Sequence, residues 1–491
     1  MKRFAYLFLI LPSLILSEWN DPFKENSDPA IAHHVNVITG KLQLAFQDHI
    51  VKGAIPIPLV RTYTNFGMTV KAPADWQLMG GWNFFPQIHL YLDPREDDFK
   101  VYLREPNGKL LTYSAPHKDD HTLIMNPENY GNDSEYMTYR LNPNNHRLHL
   151  NYKKGEAILH MANGGKRIYK GPRKGFVDKL ADYNLFNFER SARHYLLQEE
   201  ISPSGQKTLY IYSDDKKAIK ILQVNPSNTK VYSGLSLRQM NQHRPFYIHI
   251  ATSDKQYLAY FGQSIEDRDY LSKVTSSLRP SESISYHPSK ALFGAHLETI
   301  ALPDRPNFRI EYYLPQNKKE LKQYQTLDEK PPEAYKVKAA FDVGMKVATF
   351  TYTSNSTDVR DCDNILTRYY HKNGDLNHIE YFDTDDSLYS SQQFFWENGK
   401  LIAKAMCDAE GNPLFSKTFS YDEFGNLINE TLYGNLTGLV DTPFQYSDRG
   451  ALAGSDHYSR WRKYNQNTNL LTDEIEEDCL SYHYTYFNGT T

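Results

Sequence analysis

Along the 491-residue chain, hydrophobic and polar positions do not keep the 3.6-residue period of an amphipathic helix over any long segment. Short runs rich in Tyr, Phe, Ile, Thr and Leu recur instead between turn dipeptides, which is the pattern of half-buried strands paired with near neighbours. Asn107-Gly108, Asn163-Gly164, Asn373-Gly374 and Asn398-Gly399 mark hairpins, because Asn and Gly tolerate the positive φ of a type I′ turn. The pattern predicts an all-β chain of antiparallel hairpins with few short helices. Helices are expected around residues 265–274 and over 317–327, where Lys, Glu and Gln predominate. The second, followed by Pro331-Pro332, also reads as a linker.

A repeat emerges toward the C-terminus. Gly374, Gly399 and Gly425 lie 25 and 26 residues apart. An aromatic stands four positions before each (Tyr370, Phe395, Tyr421) and a leucine two positions after (Leu376, Leu401, Leu427), so the two are expected at equivalent places on opposite arms of a hairpin. A fourth copy would use Thr468 as its turn residue, with Tyr464 before and Leu470 after, displaced by an insertion over 434–460. A lone two-stranded ribbon is marginal in water, so these units are expected to bury their aromatic faces against one another.

Composition sharpens this picture. Tyr accounts for 37 residues and aromatics for 14%, enough amphipathic bulk to argue against disorder despite a mean hydropathy of -0.64. The 26 glycines show no period of three, which excludes collagen. With 55 basic and 59 acidic side chains the net charge is -4, so nucleic acid is not an expected partner. Three cysteines, Cys362, Cys407 and Cys479, are too few for a disulfide scaffold. Cys362 and Cys407 either bridge neighbouring repeats or remain thiols. At the N-terminus, Lys2 and Arg3 precede an apolar run over 4–16 that ends at Ser17, which is the grammar of a signal peptide over 1–17. The run is too short to span a bilayer and no later stretch approaches that length, so the chain is expected to be exported, to the cell envelope or surface or beyond, and not transmembrane.

The run YDEFGNLINETLYGNLTG (421–438) resembles the repeats of the RHS or YD-repeat proteins: Tyr421 and Asp422 match the name-giving dipeptide, Gly425 the turn and Leu427 the first inward residue. The copies at Tyr370-His371 and Trp396-Glu397 lack the Asp. Upstream, VNVITGKLQL (35–44), IPIPLVRTYTN (55–65) and MGGWNF (79–84) look like the leader module that precedes such arrays. The resemblance divides the chain into a leader module over 18–85, a degenerate hairpin region over 86–330 and a YD-repeat array over 331–491. It implies part of a spiral β-sheet shell that encapsulates or presents a toxin or other RHS polypeptide. The core region and toxic domain of toxin members have no counterpart among these residues, so a fragment of a larger RHS toxin is a further reading.

No nucleotide loop, nucleophile elbow or zincin helix is present, and no catalytic residue, cofactor or metal is assigned. Adjacent His33 and His34, if on a strand, point to opposite faces and do not join His49 on one ion. Asp383, Asp385 and Asp386 read as a solvated hairpin end, because Leu388 stands where a calcium loop needs glycine. Lys166, Arg167, Lys170, Arg173 and Lys174 read as a solvated strand and turn, with an anionic surface as the alternative. The leading expectation is a non-enzymatic wall, and the second a surface adhesin binding glycans or proteins through aromatic patches.

Overall fold

A computed structural model describes residues 29–485 apart from 54–55, 66–80, 85–88, 93–100, 105–109, 114–136, 140–146, 152–154, 162–163, 172–192, 214–217, 241–246, 266–267, 288–295, 303–304, 327–329, 423–424, 441, 466–469 and 478–479. The signal-peptide residues, Asn107-Gly108, Asn163, Arg173, Lys174, Thr468 and Cys479 lie outside the described residues.

The chain is all-β. From Met137–Tyr139 to Pro413–Tyr421 and Leu427–Gly434, consecutive strands pair antiparallel, and the ladder continues through Asp456–Tyr464 and Leu471–Glu476 to Ser481–His483. Arg193–Ile201 carries a side arm as well, pairing with His89–Leu92, which leads to Val101–Arg104 and Leu110–Tyr113. Alternation sets the faces: in Ala218–Val224, Ile219 and Ile221 are buried while Lys220 is exposed, and Tyr247–Thr252 buries Ile248 and Ile250.

A second layer covers part of that apolar face. Ile31–Ala32, Val35–Asn36, Lys41–Val51, Ile57–Thr64 and Trp82–Phe84 form a five-stranded sheet. Its Val35, Leu44, Leu59 and Tyr63 share one buried cluster with Leu237, Ile250, Ile300 and Phe350 of the ladder. Polar threads stitch the layers together: Val337 N–H donates to the Gly40 carbonyl at 3.0 Å, and Thr357 Oγ1 to the Val37 carbonyl at 2.6 Å.

The helix expected over 317–327 forms as Lys318–Gln325, because the Asn317 side chain accepts the Glu320 N–H while Glu320 accepts the Gln316 N–H. Its Leu321 and Tyr324 pack on Ala334 and Tyr335, and the strands flanking this excursion, Arg305–Tyr312 and Val337–Asp342, pair directly. The other expected helix does not form. Residue 265 and residues 268–274 belong instead to the paired strands Tyr257–Ile265 and Arg268–Ser276. A register shift between Phe261 and Gly262 lets the consecutive Tyr270 and Leu271 both turn inward, which imitates helical spacing in the sequence.

Candidate functional site

The leader-like motif residues converge where the two layers meet. Arg61, on the strand Ile57–Thr64, is fully buried, and its Nε contacts both oxygens of Asp48 at 3.0 Å while its Nη2 meets Glu282 on the ladder. Asp48 enters because the pairing shifts between Gln47 and His49: the extra residue of the bulge is aimed inward. Arg279 also pairs with Asp48, and the Tyr260 hydroxyl donates to it at 2.8 Å. Burial opposes the Arg61 charge, but Asp48 and Glu282 more than restore it, so its pKa is raised; desolvation and the Asp48 charge hold the Tyr260 phenol well above its ordinary value.

Aromatic rings close the site. The Arg61 guanidinium lies 4.7 Å from the Phe46 ring centroid and 5.2 Å from that of Trp82. Trp82 Nε1–H donates to the Tyr286 hydroxyl at 2.8 Å, which donates onward to the Leu271 carbonyl at 2.6 Å. Tyr63 accepts the Leu297 N–H at 3.2 Å. Such a network is a desolvated ionic lock between the two layers.

The repeat hairpins carry the second set of residues. Asn373 and Gly374 have φ of 56° and 91°, and Asn398 and Gly399 have 51° and 72°, both type I′ turns. The third turn is different: Asp422 N–H donates to the Asn426 carbonyl, Gly425 (φ 86°) N–H to the Asp422 carbonyl, and the Asp422 carboxylate accepts Asn426 N–H at 2.8 Å. Asp408 and Asn412 repeat this arrangement with Gly411. The aspartate of the YD dipeptide is therefore a turn cap.

Register corrects the expectation that aromatic and leucine always face each other. Tyr421 does oppose Leu427. A shift after Tyr370 and after Phe395 places Leu376 opposite His371 and Leu401 opposite Trp396. Leu376 is buried, whereas Tyr370, Phe395, Tyr421, Leu401 and Leu427 are half-buried. The missed feature is how hairpins join. Trp396 Nε1–H donates to the Leu376 carbonyl at 2.7 Å, the Tyr421 hydroxyl to the Leu401 carbonyl at 2.8 Å, and the Tyr464 hydroxyl to the Leu427 carbonyl at 3.1 Å. Each acceptor is the leucine two residues after the turn glycine. In the second hairpin, where Phe395 has no donor, the adjacent Trp396 supplies one.

The remaining candidates separate. His33 and His34, with φ of 45° and 67°, form a hairpin turn and not the strand assumed for them, because the two strands they join leave no other residues for the connection. His49 pairs with Asp254 at 3.1 Å, away from them. Asp383 caps an exposed turn. Arg167 is buried against Glu200, which closes it to an anionic surface, whereas Lys170 is exposed and pairs with Glu156. Cys362 is an exposed thiol and Cys407 a buried one, so they are not bridged; Cys407 Sγ lies 3.3 Å from the Tyr446 hydroxyl. Over the 434–460 insertion, Tyr446 packs its ring 5.5 Å from Phe395, and the Gly450 carbonyl accepts from Ser416 Oγ. Among the described residues no group of three or more His, Cys, Asp and Glu is placed to hold a metal, and no helix is long and apolar enough to cross a membrane.

No family model matches the chain, and no curated protein does. Among solved structures, it is similar to TcdB2-TccC3 without the hypervariable C-terminal region, at 10% identity and a TM-score of 0.34, over 88% of this chain and 20% of that one. It is also similar to the N-terminal domain of effector protein SpvB from Salmonella typhimurium strain LT2, at 13% identity and a TM-score of 0.19, over 74% of this chain and 99% of that one. A porin-like protein from Bacteroides uniformis aligns at 9% identity and a TM-score of 0.15, over 55% of this chain and 97% of that one. The chain thus spans about a fifth of the length of TcdB2-TccC3.

Proposed function

We propose that the chain is an exported, non-enzymatic protein of the RHS/YD-repeat kind, a wall segment of a β-shell that encloses or presents a partner or toxin polypeptide. The observation that carries this reading is the joining of successive hairpins: Trp396, Tyr421 and Tyr464 each donate to the leucine carbonyl of the hairpin before, so the ladder extends by a recurring contact. Such a wall acts sterically, excluding protease and solvent from what lies behind it. Its N-terminal strands would fix the curvature by locking one face of the ladder through Arg61.

Enclosure is tested on the chain purified from its native cells. A co-purifying polypeptide should resist protease while the wall is intact and become digestible in the Leu376→Arg variant, which places a charge at a buried position. Equal digestion in both, or no co-purifying polypeptide, would overturn the reading. Export predicts a mature N-terminus at Glu18, read by N-terminal sequencing of the secreted or envelope fraction.

A further inference from the structure

The outward face of the ladder between Ala218–Val224 and Arg268–Ser276 carries an arrangement that packing of the wall does not use. Tyr247 stands opposite Phe261, their rings stacked at 4.7 Å and 9°. One step along, His249 stacks with Tyr257 at 6.1 Å and 17°, diagonally across the small Ala251 and Ala259. Tyr257 is 46% exposed. Beneath these strands the opposite face is core, with Ile248, Ile250, Leu258 and Tyr260 buried, so the rings sit on a rigid floor.

Three cations frame the rings on the same face. Arg238 pairs in register with His249, Lys273 with Phe261, and Lys220 with Ser236, which neighbours Ala251. All three are exposed, and none has an ion pair among the described residues. No carboxylate occupies the facing positions of these rows, which carry instead Ser236, Thr275 and Ser283. At about 4.8 Å between strands, Arg238 and Lys273 stand about 14 Å apart across the sheet, further than a single sugar ring reaches.

We propose that this face binds an acidic oligosaccharide. Sugar rings have apolar faces that stack on aromatic rings, their hydroxyls suit the serine and threonine hydroxyls, and carboxylate or sulfate groups pair with Lys220, Arg238 and Lys273. A nucleic acid also offers stacking and negative charge, but the net charge of -4 disfavours a long polyphosphate. The site is separate from the hairpin-to-hairpin bonds on which the wall reading rests.

The full chain is titrated calorimetrically with oligogalacturonate, a heparin oligosaccharide, neutral maltohexaose and oligothymidylate. At least one acidic sugar should bind ten times or more tightly than maltohexaose, with affinity falling as salt rises. Which acidic sugar binds identifies carboxylate or sulfate as the paired group. Tyr257→Ala and the Arg238→Ala/Lys273→Ala pair should each weaken that binding at least tenfold while the unfolding midpoint stays in place. The proposal is overturned if neither acidic sugar binds, if the variants bind as well as the parent, or if oligothymidylate binds more tightly than both sugars.

Discussion

Between residues 218 and 312 the apolar face of the ladder is covered by the N-terminal strands, and the charge at the seam is fully desolvated: the side chains of Arg61 and Asp48 are 1% and 0% exposed. Beyond residue 400 the same ladder runs on with a lattice of ion pairs on its face. Lys417 and Arg462 meet Glu430, Arg462 and Arg460 meet Glu474, and Arg460 meets Glu476, with Arg462 15% exposed. The strand Leu471–Glu476 buries no residue fully. A sheet face can therefore be held by another layer, or by its own cross-strand charges and tyrosine bonds. The first is cooperative and brittle, because the loss of one member strands its partners in a dry interior. The second is distributed, each contact being worth little alone.

The largest expected effect breaks the first mode. Arg61→Ala leaves the buried Glu282 and Asp48 with only the half-exposed Arg279 as counter-ion, and should cost about 3–5 kcal/mol, read as a drop in the urea midpoint at unchanged slope. Arg61→Lys should rescue little, since one ammonium cannot reproduce the planar contacts to Asp48, Glu282 and the two rings. A cost below about 1 kcal/mol for Arg61→Ala would mean that water reaches the seam.

Next comes the point where the two modes meet. Leu376 is buried within the same cluster as the N-terminal strands although it belongs to the first C-terminal hairpin. Leu376→Ala should cost about 2–5 kcal/mol, whereas Tyr370→Ala in the same hairpin should cost less, because Tyr370 is half-buried and its hydroxyl ends on Glu380 at 3.0 Å. If the two costs come out equal in denaturant titration, the aromatic is as much a core residue as the leucine, and the burial contrast fails.

These two residues also show what a sequence reveals and what it hides. The period marked by Gly374, Gly399 and Gly425 is written in the chain because a positive φ restricts residue choice locally. Arg61 and Trp82 stood inside the runs IPIPLVRTYTN and MGGWNF, which a resemblance picks out. Asp48 and Glu282 stood in neither, and a bulge shift and a partner 221 residues from Arg61 leave no spacing to read. The false helix at 265–274 came from Tyr270 and Leu271 facing inward together, a consequence of tertiary register. The outward rings Tyr247, His249, Tyr257 and Phe261 come together only once two strands are aligned.

A smaller effect isolates one step of the second mode. Tyr421→Phe removes the hydrogen bond to the Leu401 carbonyl but keeps the ring, and should cost about 1 kcal/mol. The loss should be local, seen as faster amide exchange across Lys400–Cys407 and Pro413–Tyr421 while the N-terminal strands keep their protection. Uniformly faster exchange throughout the molecule would show that the array unfolds together with the seam and that the two regions are one cooperative unit.

The mildest perturbation is acid. Burial pushes the Glu430 carboxyl upward, but Lys417 and Arg462 outweigh it and hold its pKa below the ordinary glutamate value. With the folded value depressed, the unfolded chain takes up the proton first as pH falls. The stabilisation is therefore complete above the ordinary value of about 4.3 and fades as pH drops through the lower folded value. Between pH 8 and 6 the lattice around Glu430 should be insensitive to pH, and below pH 4 its strands should lose exchange protection. Glu430→Gln should flatten that acid limb, because the group that titrates is gone and Arg460 and Arg462 retain Glu474. An acid limb of unchanged steepness in the variant would assign the loss to other carboxylates and remove Glu430 from the centre of the lattice.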